Sequence, residues 1–415
     1  MDYDVTIIGA GPVGSTAAKV LADNGFNILI LEEHSIIGSP QHCTGKISAE
    51  ALRELDLEPV GILQEIRGAT FYSPSLESFT IKSNTTQAYI LDRRVFDTWL
   101  SERCVKAGAS LITNARATRI SISSFGVSVE FKCQDKYQTI RSRVIIAADG
   151  ANSGVARQLG IYTQEQAGGK MGVQIQMKGI RDIKEDIVEL YFGRIYAPGF
   201  FAWIVPLGSD EARVGLCVNI HSGKPAMNYL REFVSKHPVA SCKLKGCFMG
   251  ESSVHPIPTG GTLRRTVSDG VIIVGDAAGQ VKSTTGGGLY YGMSCAKLAA
   301  KTLSKELSQS TEKLLRRESL AGYERSWKLK LGKEIAFSVK ARSFLDSLSD
   351  NEVTYLFNAL KKDDSLLSFI SKEGNVDWQS RITSPVIGRL LKKGALKPNI
   401  LYKFGRSFLG TAFKK

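Results

Sequence analysis

Residues 5–14 read VTIIGAGPVG. Val5–Ile8 is an apolar run of strand type, Gly9, Gly11 and Gly14 follow at G-x-G-x-x-G spacing, and an alanine-rich helical stretch runs from Pro12 to Asn24. The glycines permit a tight turn and a close approach of backbone to a pyrophosphate, whose charge the helix N-terminus stabilises. A second strand, Asn27–Leu31, ends at Glu32 and Glu33, and Glu32 stands 23 positions past Gly9, about where an acidic residue meets a ribose hydroxyl. Strand, helix, strand and terminal acid predict a Rossmann-like unit with Gly9, Gly11, Val13, Gly14, Glu32 and Glu33 around a dinucleotide. A glycine turn in an ordinary α/β protein is the plainer reading, and a nicotinamide dinucleotide fits this segment too; two later signals decide.

Both of those signals end strand-like runs. Val144–Ala148 leads to Asp149-Gly150, and Val271–Val274 leads to Gly275-Asp276. A carboxylate at the C-terminal end of a parallel strand points into the ligand crevice. Beyond Asp276, the run Gly286-Gly287-Gly288 lets backbone approach a ligand closely. The helix expected from about Leu289 aims its first amides at a developing negative charge, which suits the anionic ring of a reduced flavin. The three signals in this order specify FAD.

Over about its first 300 residues the chain resembles the p-hydroxybenzoate hydroxylase-like superfamily of flavoproteins. That resemblance implies that Asp276 contacts the ribityl and pyrophosphate region, that Arg93 in LDRRVFDTWL reaches the FAD, and that Ala117 passes beside the adenine. The stretch from Pro198 to Pro206, PGFFAWIVP, resembles the PxxYxWxFP motif of geranylgeranyl reductases, with Phe201 and Val205 in place of tyrosine and phenylalanine. The loop QHCTGKIS, with Cys43, Thr44 and Gly45, resembles that family's cysteine-containing loop near the flavin. The match is best in the archaeal branch, the digeranylgeranylglycerophospholipid reductases. The resemblance implies an FAD-dependent reductase that saturates C=C bonds of geranylgeranyl chains in archaeal-type membrane lipids or in geranylgeranyl diphosphate.

An isolated alkene needs a proton on one carbon and a hydride on the other, in a dry apolar tunnel. Phe201, Trp203, Tyr290 and Tyr291 are expected to line it, with Cys43, Trp203 and Phe201 at the reacting centre and His42 a weaker acid candidate. For each aromatic the bland alternative is a core position, and for Cys43 a small buried hydrophobe. A flavin monooxygenase, epoxidase or halogenase is the competing reading, because W-x-W-x-I-P of halogenases is close to Phe201-Ala-Trp203-Ile-Val205-Pro206. No second dinucleotide-binding segment stands out, so the electron donor is left open among NADPH, NADH and ferredoxin.

The chain has 415 residues, enough for two or three domains. No apolar run reaches spanning length and the first strand begins by Val5, so a cytoplasmic protein with neither a spanning helix nor a signal peptide is expected. The seven cysteines lack metal-type spacing, so no metal is expected; Cys242 and Cys247 are close enough in sequence to pair. From Lys297 onward stand 24 Lys+Arg and 12 Asp+Glu, which leaves twelve of the fourteen net positive charges there. Residues 381–415 hold nine basic and no acidic residues, among apolar ones from Ile387 to Phe413. Such a segment either rests on anionic lipid or packs on its own protein. No nucleic-acid module is present to recruit that charge.

The expected architecture is mixed α/β. Residues 1–60, 92–170 and 255–305 form a discontinuous Rossmann-like FAD-binding domain. Residues 61–91 and 171–254 form a substrate sheet that roofs the flavin, and 306–415 form a helical, basic C-terminal region. EKLLRRESLAGYERSWKLKLGKEI, residues 312–335, reads as one long helix.

Overall fold

The opening stretch folds as strand Tyr3–Ile8, helix Pro12–Asp23 and strand Ile28–Leu31. Pro12 sits in the first helical turn, where a missing amide costs nothing and the fixed φ is already helical. Val5, Thr6 and Ile7 are all fully buried, as in a parallel strand covered on both faces. The computed structural model describes residues 1–162, 169–392, 394 and 396–408. By its internal contacts the chain divides into two units. The first comprises Met1–Gln41, Asp92–Gly168 and Pro258–Ile335; the second comprises His42–Leu91, Gly169–Ile257 and Ala336–Lys415.

The first unit is built on a sheet ordered Val267–Ser268, Val271–Ile273, Lys136–Ala147, Tyr3–Ile8, Ile28–Leu31 and Ser110–Ile112. Its first pair is antiparallel and the rest are parallel, and a β-meander of Ala115–Ser123, Gly126–Cys133 and Lys136–Ala147 extends from it. The central strands end side by side at Ile8, Ala147 and Ile273. The three glycine and aspartate signals therefore leave the sheet at one edge, although more than a hundred residues separate each from the next.

The second unit carries a seven-stranded sheet ordered Phe248–Ile257, Lys170–Lys178, Glu211–Asn219, Ala202–Pro206, Ile187–Tyr191, Gly68–Tyr72 and Ser78–Lys82. Side chains alternate across it. Val173, Ile175, Ala202, Ile204, Val214 and Leu216 face the helix Ala226–Lys236 in one core. Phe201, Trp203, Val205 and Cys217 take the opposite face. Lys46–Ser48, Ala88–Leu91 and Ile62–Ile66 form a separate three-stranded sheet.

Several sequence expectations differ from this arrangement. Residues 42–60, expected with the FAD domain, go with the second unit, because Lys46–Ser48 hydrogen-bonds to Ala88–Leu91. The C-terminal helices are shared: 306–335 belong to the first unit and 336–415 to the second. The long helix begins at Arg317 rather than Glu312 and passes through a π-turn, Lys328–Gly332, into Lys333–Ser347. Leu314 and Leu315 are drawn out of it because Leu315 accepts a backbone hydrogen bond from Gly270 at 2.8 Å while both side chains are buried. Cys242 and Cys247 are both free thiols, each hydrogen-bonded to a backbone carbonyl.

Candidate functional site

In the first unit the glycine turn is shaped by collisions that larger residues would make. A Cβ on Gly14 would lie 1.9 Å from the Gly9 carbonyl oxygen, and one on Gly9, where φ is +101°, would lie 2.5 Å from that of Ala148. Gly11 differs: its φ is −64° and a Cβ there meets nothing within 4 Å. Fold geometry requires glycine at positions 9 and 14; at 11 only a ligand would. Glu32 closes the turn from the far side, accepting from the Ala10 amide at 2.8 Å, with its other oxygen 2.8 Å from His34 Nδ1. Glu33 is exposed beside Arg116, at 3.7 Å. Ala117 is half-buried on the meander, paired with Phe131.

Val13 joins the first signal to the third. Its side chain lies where a Cβ on Gly275 would come within 3.1 Å and one on Gly292 within 2.6 Å. Those glycines let the helices Pro12–Asp23 and Leu289–Gln309 pack closely. Asp276 follows, with its Oδ1 2.4 Å from where a Cβ on Gly288 would stand. Gly288 is the N-cap of Leu289–Gln309 and supplies no side-chain cap to the first amides. Gly287 is crowded by Lys282, whose Cε would lie 2.9 Å from an added Cβ. Tyr290 and Tyr291 are buried here, edge to face at 5.7 Å, with Lys330 and Lys282 over their respective rings.

Sequence reasoning missed Gln280 and Tyr323. Gln280, fully buried, accepts from the Gly275 amide at 2.8 Å and donates to the Tyr323 hydroxyl at 2.8 Å; that hydroxyl donates to the Ile273 carbonyl at 3.1 Å. This relay clamps the turn that presents Asp276. Its only sequence signal was a glutamine closely following a GD pair.

Arg93 heads a helix, Arg93–Lys106, capped by Asp92, and makes a bidentate pair with Asp97 at 2.8 and 2.7 Å. Its charge also reaches Asp276. Burial pushes the Asp276 carboxyl up to about 6, with the Arg93 guanidinium pulling the other way. The folded state therefore holds this proton more tightly than the unfolded chain, and the resulting stability, full below pH 4, is lost as pH rises through 6. FAD-free Asp276→Asn is accordingly expected to melt above wild type at pH 8 and to converge with it near pH 4, as read by thermal melts at both pH values.

These residues fit FAD. Asp149 Oδ2 accepts from the Val155 amide at 3.1 Å, in the first turn of the short helix Gly154–Gln158 that Ser153 caps, while Oδ1 is buried with no donor among the described residues. Burial pushes the Asp149 carboxyl above its ordinary value. A ligand hydroxyl at Oδ1 would supply the missing donor. The open face of Gly11 accommodates a pyrophosphate, and the uncapped amides beyond Gly288 suit an electron-rich ring.

In the second unit, strand register gathers another set. Trp203 pairs with Gly215, which pairs with Gln174, so all three side-chain positions share one face. The indole occupies the space that Gly215 lacks: a Cβ there would lie 2.6 Å from Trp203 Cε2 and Cζ2. Over the same face lies the loop carrying Cys43, Thr44 and Gly45. Gln174 donates to the Cys43 carbonyl at 3.4 Å. Arg213, buried, donates to the carbonyls of Thr44 at 2.7 Å and Leu91 at 3.1 Å. Cys43 Sγ accepts from the Gly45 amide at 3.3 Å. His42 stacks on His255 at 4.6 Å, and burial, with His42 beside it, pushes His255 down to about 4. Phe201 stacks on Phe200 at 4.5 Å and meets Trp203 edge-on at 6.1 Å. Arg213, Gln174 and Gly215 were not legible as site residues because only register sets them opposite Val205 and Trp203.

At the C-terminal end of the described chain, helix Pro398–Phe408 turns Phe404 and Phe408 onto Phe344 and Phe337, at 5.6 and 5.4 Å, and buries Ile400 fully. Much of its apolar face thus packs on its own protein. Leu391 and Tyr402 stay exposed, while Leu409 and Phe413 lie outside the described residues. No helix among the described residues is long and apolar enough to cross a membrane.

A family model for an FAD binding domain matches residues 2–329. The chain is 33% identical over 372 residues to digeranylgeranylglycerophospholipid reductase 2 of Methanopyrus kandleri, covering 88% of this chain and 92% of the relative. It is 34% identical to digeranylgeranylglycerophospholipid reductase of Methanocaldococcus jannaschii, over 86% of this chain and 90% of that one. Among solved structures it superposes with a TM-score of 0.79, at 25% identity, on a geranylgeranyl bacteriochlorophyll reductase-like protein of Thermoplasma acidophilum, covering 95% of this chain and 99% of that one. The flavin-dependent brominase Bmp2, at 17% identity and a TM-score of 0.70 over 94% of this chain and 99% of its own, shares the fold. With the glycine cradle, the orphaned Asp149 oxygen and these matches in agreement, the chain belongs to the FAD-binding-domain flavoproteins, with the digeranylgeranylglycerophospholipid reductases as its relatives along most of its length.

Proposed function

We propose that this chain is an FAD-dependent reductase that saturates C=C bonds in the geranylgeranyl chains of archaeal-type ether lipids. The observation that carries the reading is identity of about one third, over nearly the whole chain, to reductases of digeranylgeranyl lipids. Reduced FAD supplies the hydride. The chain's own residues bind and orient: the turn at Gly9, Gly11 and Gly14 and the amides after Gly288 hold the pyrophosphate and ring, with Glu32, Asp149 and Asp276 taking the hydroxyls. In the second unit, Phe201 and Trp203 present an apolar aromatic face that excludes water. Their ring faces favour the positive charge that develops on the more substituted alkene carbon as the proton arrives. Arg213 and Gln174 hold the Cys43 loop rigid over that face, which makes Cys43 the candidate for orienting the proton.

The test is anaerobic. Dithionite-reduced protein is given a digeranylgeranylglycerol phospholipid, and the product mass is read. A gain of about two mass units per saturated bond is expected. An oxygen or halogen gained only in air would instead assign the monooxygenase or halogenase chemistry of the shared fold.

The substrate lies in a membrane, and the basic C-terminal segment is proposed to meet it. Lys392, Lys397 and Arg406 are exposed near Leu391 and Tyr402. Each basic residue near an anionic surface contributes about 1 kcal/mol, so neutralising all three to Gln should weaken co-sedimentation with anionic vesicles by about a hundredfold at low salt. Unchanged co-sedimentation would remove this segment from the membrane contact.

A further inference from the structure

One polar cluster in the second unit touches neither the glycine cradle nor the Cys43 loop. Arg342, on the helix Lys333–Ser347, is 6% exposed. Its Nη2 pairs with Asp346 Oδ1 at 2.8 Å and its guanidinium lies over the Phe200 ring at 5.0 Å. Its Nε and Nη1 are buried with no acceptor among the described residues. Lys170, 4% exposed, donates to the Gly199 carbonyl at 2.7 Å, to Asn219 Oδ1 at 2.5 Å and to Asp346 Oδ2 at 2.8 Å. One carboxylate thus serves two buried cations. Asp346, 31% exposed, is the cluster's solvent edge, and there Arg194 donates to the Asp346 carbonyl at 3.1 Å.

A buried net positive charge with unused N–H donors is costly unless an anion completes it. Burial pushes both Arg342 and Lys170 below their ordinary values, a shift that a bound anion would offset. A guanidinium with a free edge matches the oxygens of a phosphate, which it can hold through two parallel bonds.

The position says what the phosphate carries. Lys170 pairs with Asn219 and Gln174 with Gly215 along the same two strands, so the cluster and the Cys43 loop share one sheet face. Asn219 lies four positions beyond Gly215, roughly 13 Å at 3.3 Å per residue. The rings of Phe200, Phe201 and Trp203 run between, beginning directly under Arg342. We propose that Arg342, with Lys170 beside it, anchors the phosphate of the prenylated substrate, whose chain then lies along Phe200 and Phe201 towards Trp203. The anchor would set which double bond reaches the aromatic face, a few isoprene units from the head group. This inference rests on the prenyl-reductase reading.

The experiment compares wild type, Arg342→Gln and Arg342→Lys, all FAD-loaded, on digeranylgeranylglyceryl phosphate and on the matching phosphate-free alcohol. Wild type is expected to show a KM for the phosphate at least tenfold below that for the alcohol. In Arg342→Gln that ratio should collapse towards one, and Arg342→Lys should fall between. An unchanged ratio in Arg342→Gln, or a wild type that does not discriminate, overturns the anchor while leaving prenyl reduction standing. Calorimetric titration with pyrophosphate gives a reading independent of turnover. Binding in wild type that weakens at least tenfold in Arg342→Gln supports the anchor even if neither lipid is reduced, the result that would remove the reductase reading itself. Equal titrations in the two proteins overturn it, and pyrophosphate binding without lipid discrimination assigns a free phosphate in place of a head group. Should Arg342→Gln fail to fold, Arg342→Lys carries both comparisons, with a smaller drop expected and no drop counting against the anchor.

Discussion

Gly11→Ala should fold like wild type and lose its FAD. The backbone at Gly11 is in an extended conformation that any residue adopts, and an added methyl meets no protein atom within 4 Å. The methyl would occupy only the approach that a pyrophosphate needs, so FAD affinity is expected to fall by at least a hundredfold, with the thermal melt of the apoprotein unchanged. Gly14→Ala should behave in the opposite way. Its methyl would be driven against the Gly9 carbonyl at 1.9 Å, a backbone atom that cannot swing aside. Overpacking of this kind costs about 1–3 kcal/mol or more, so the apoprotein itself should melt lower. Flavin absorbance per chain after gel filtration, set beside apoprotein melts, separates the two. A Gly11→Ala protein that keeps its FAD would show that the pyrophosphate does not pass this turn.

Trp203→Ala should keep FAD and lose at least a hundredfold in prenyl turnover. The indole is half-buried, sits in the slot left by Gly215 and meets Phe201 edge-on. Its removal opens the apolar face to water while leaving the first unit untouched. Gly215→Ala should lower both turnover and stability, because its methyl would fall 2.6 Å from the indole and also 2.6 Å from the Val173 carbonyl oxygen, a backbone atom that cannot swing aside. Trp203→Phe should retain most turnover and lose little stability, since the indole N–H is buried without a partner among the described residues and its removal relieves that cost. Loss of flavin in Trp203→Ala would move this residue from the substrate face to the support of the cofactor.

The FAD cradle was legible in the sequence because its signals are local. G-x-G-x-x-G, the acid at Glu32 and the GD pair at 275–276 each encode a backbone path within a few residues, and the strands that deliver them are apolar on both faces. The contacts that tighten the cradle were not legible. Val13 was read as part of the glycine turn, but only the fold lays Gly275 and Gly292 against it, and Gln280 was missed because Tyr323 is brought to it from 43 positions on. The helix start at Arg317 was misplaced because Leu314 and Leu315 are helix formers by composition. Backbone hydrogen bonds of Leu315 with Gly270 and Arg143, with burial of both leucine side chains, took them instead.

By itself the sequence determined the cofactor, the reaction class and the alternation of the second sheet. Local backbone geometry and a two-residue period are written in consecutive residues. The tertiary structure alone decided which strands are neighbours. The order in the second sheet does not follow the chain, so Gln174, Trp203, Arg213 and Gly215 share a face with the Cys43 loop only through register. Arg342 joins that face from a helix more than a hundred positions further on. A one-residue slip in any of these pairings would turn each of those side chains to the other side, and no stretch of sequence records the pairing.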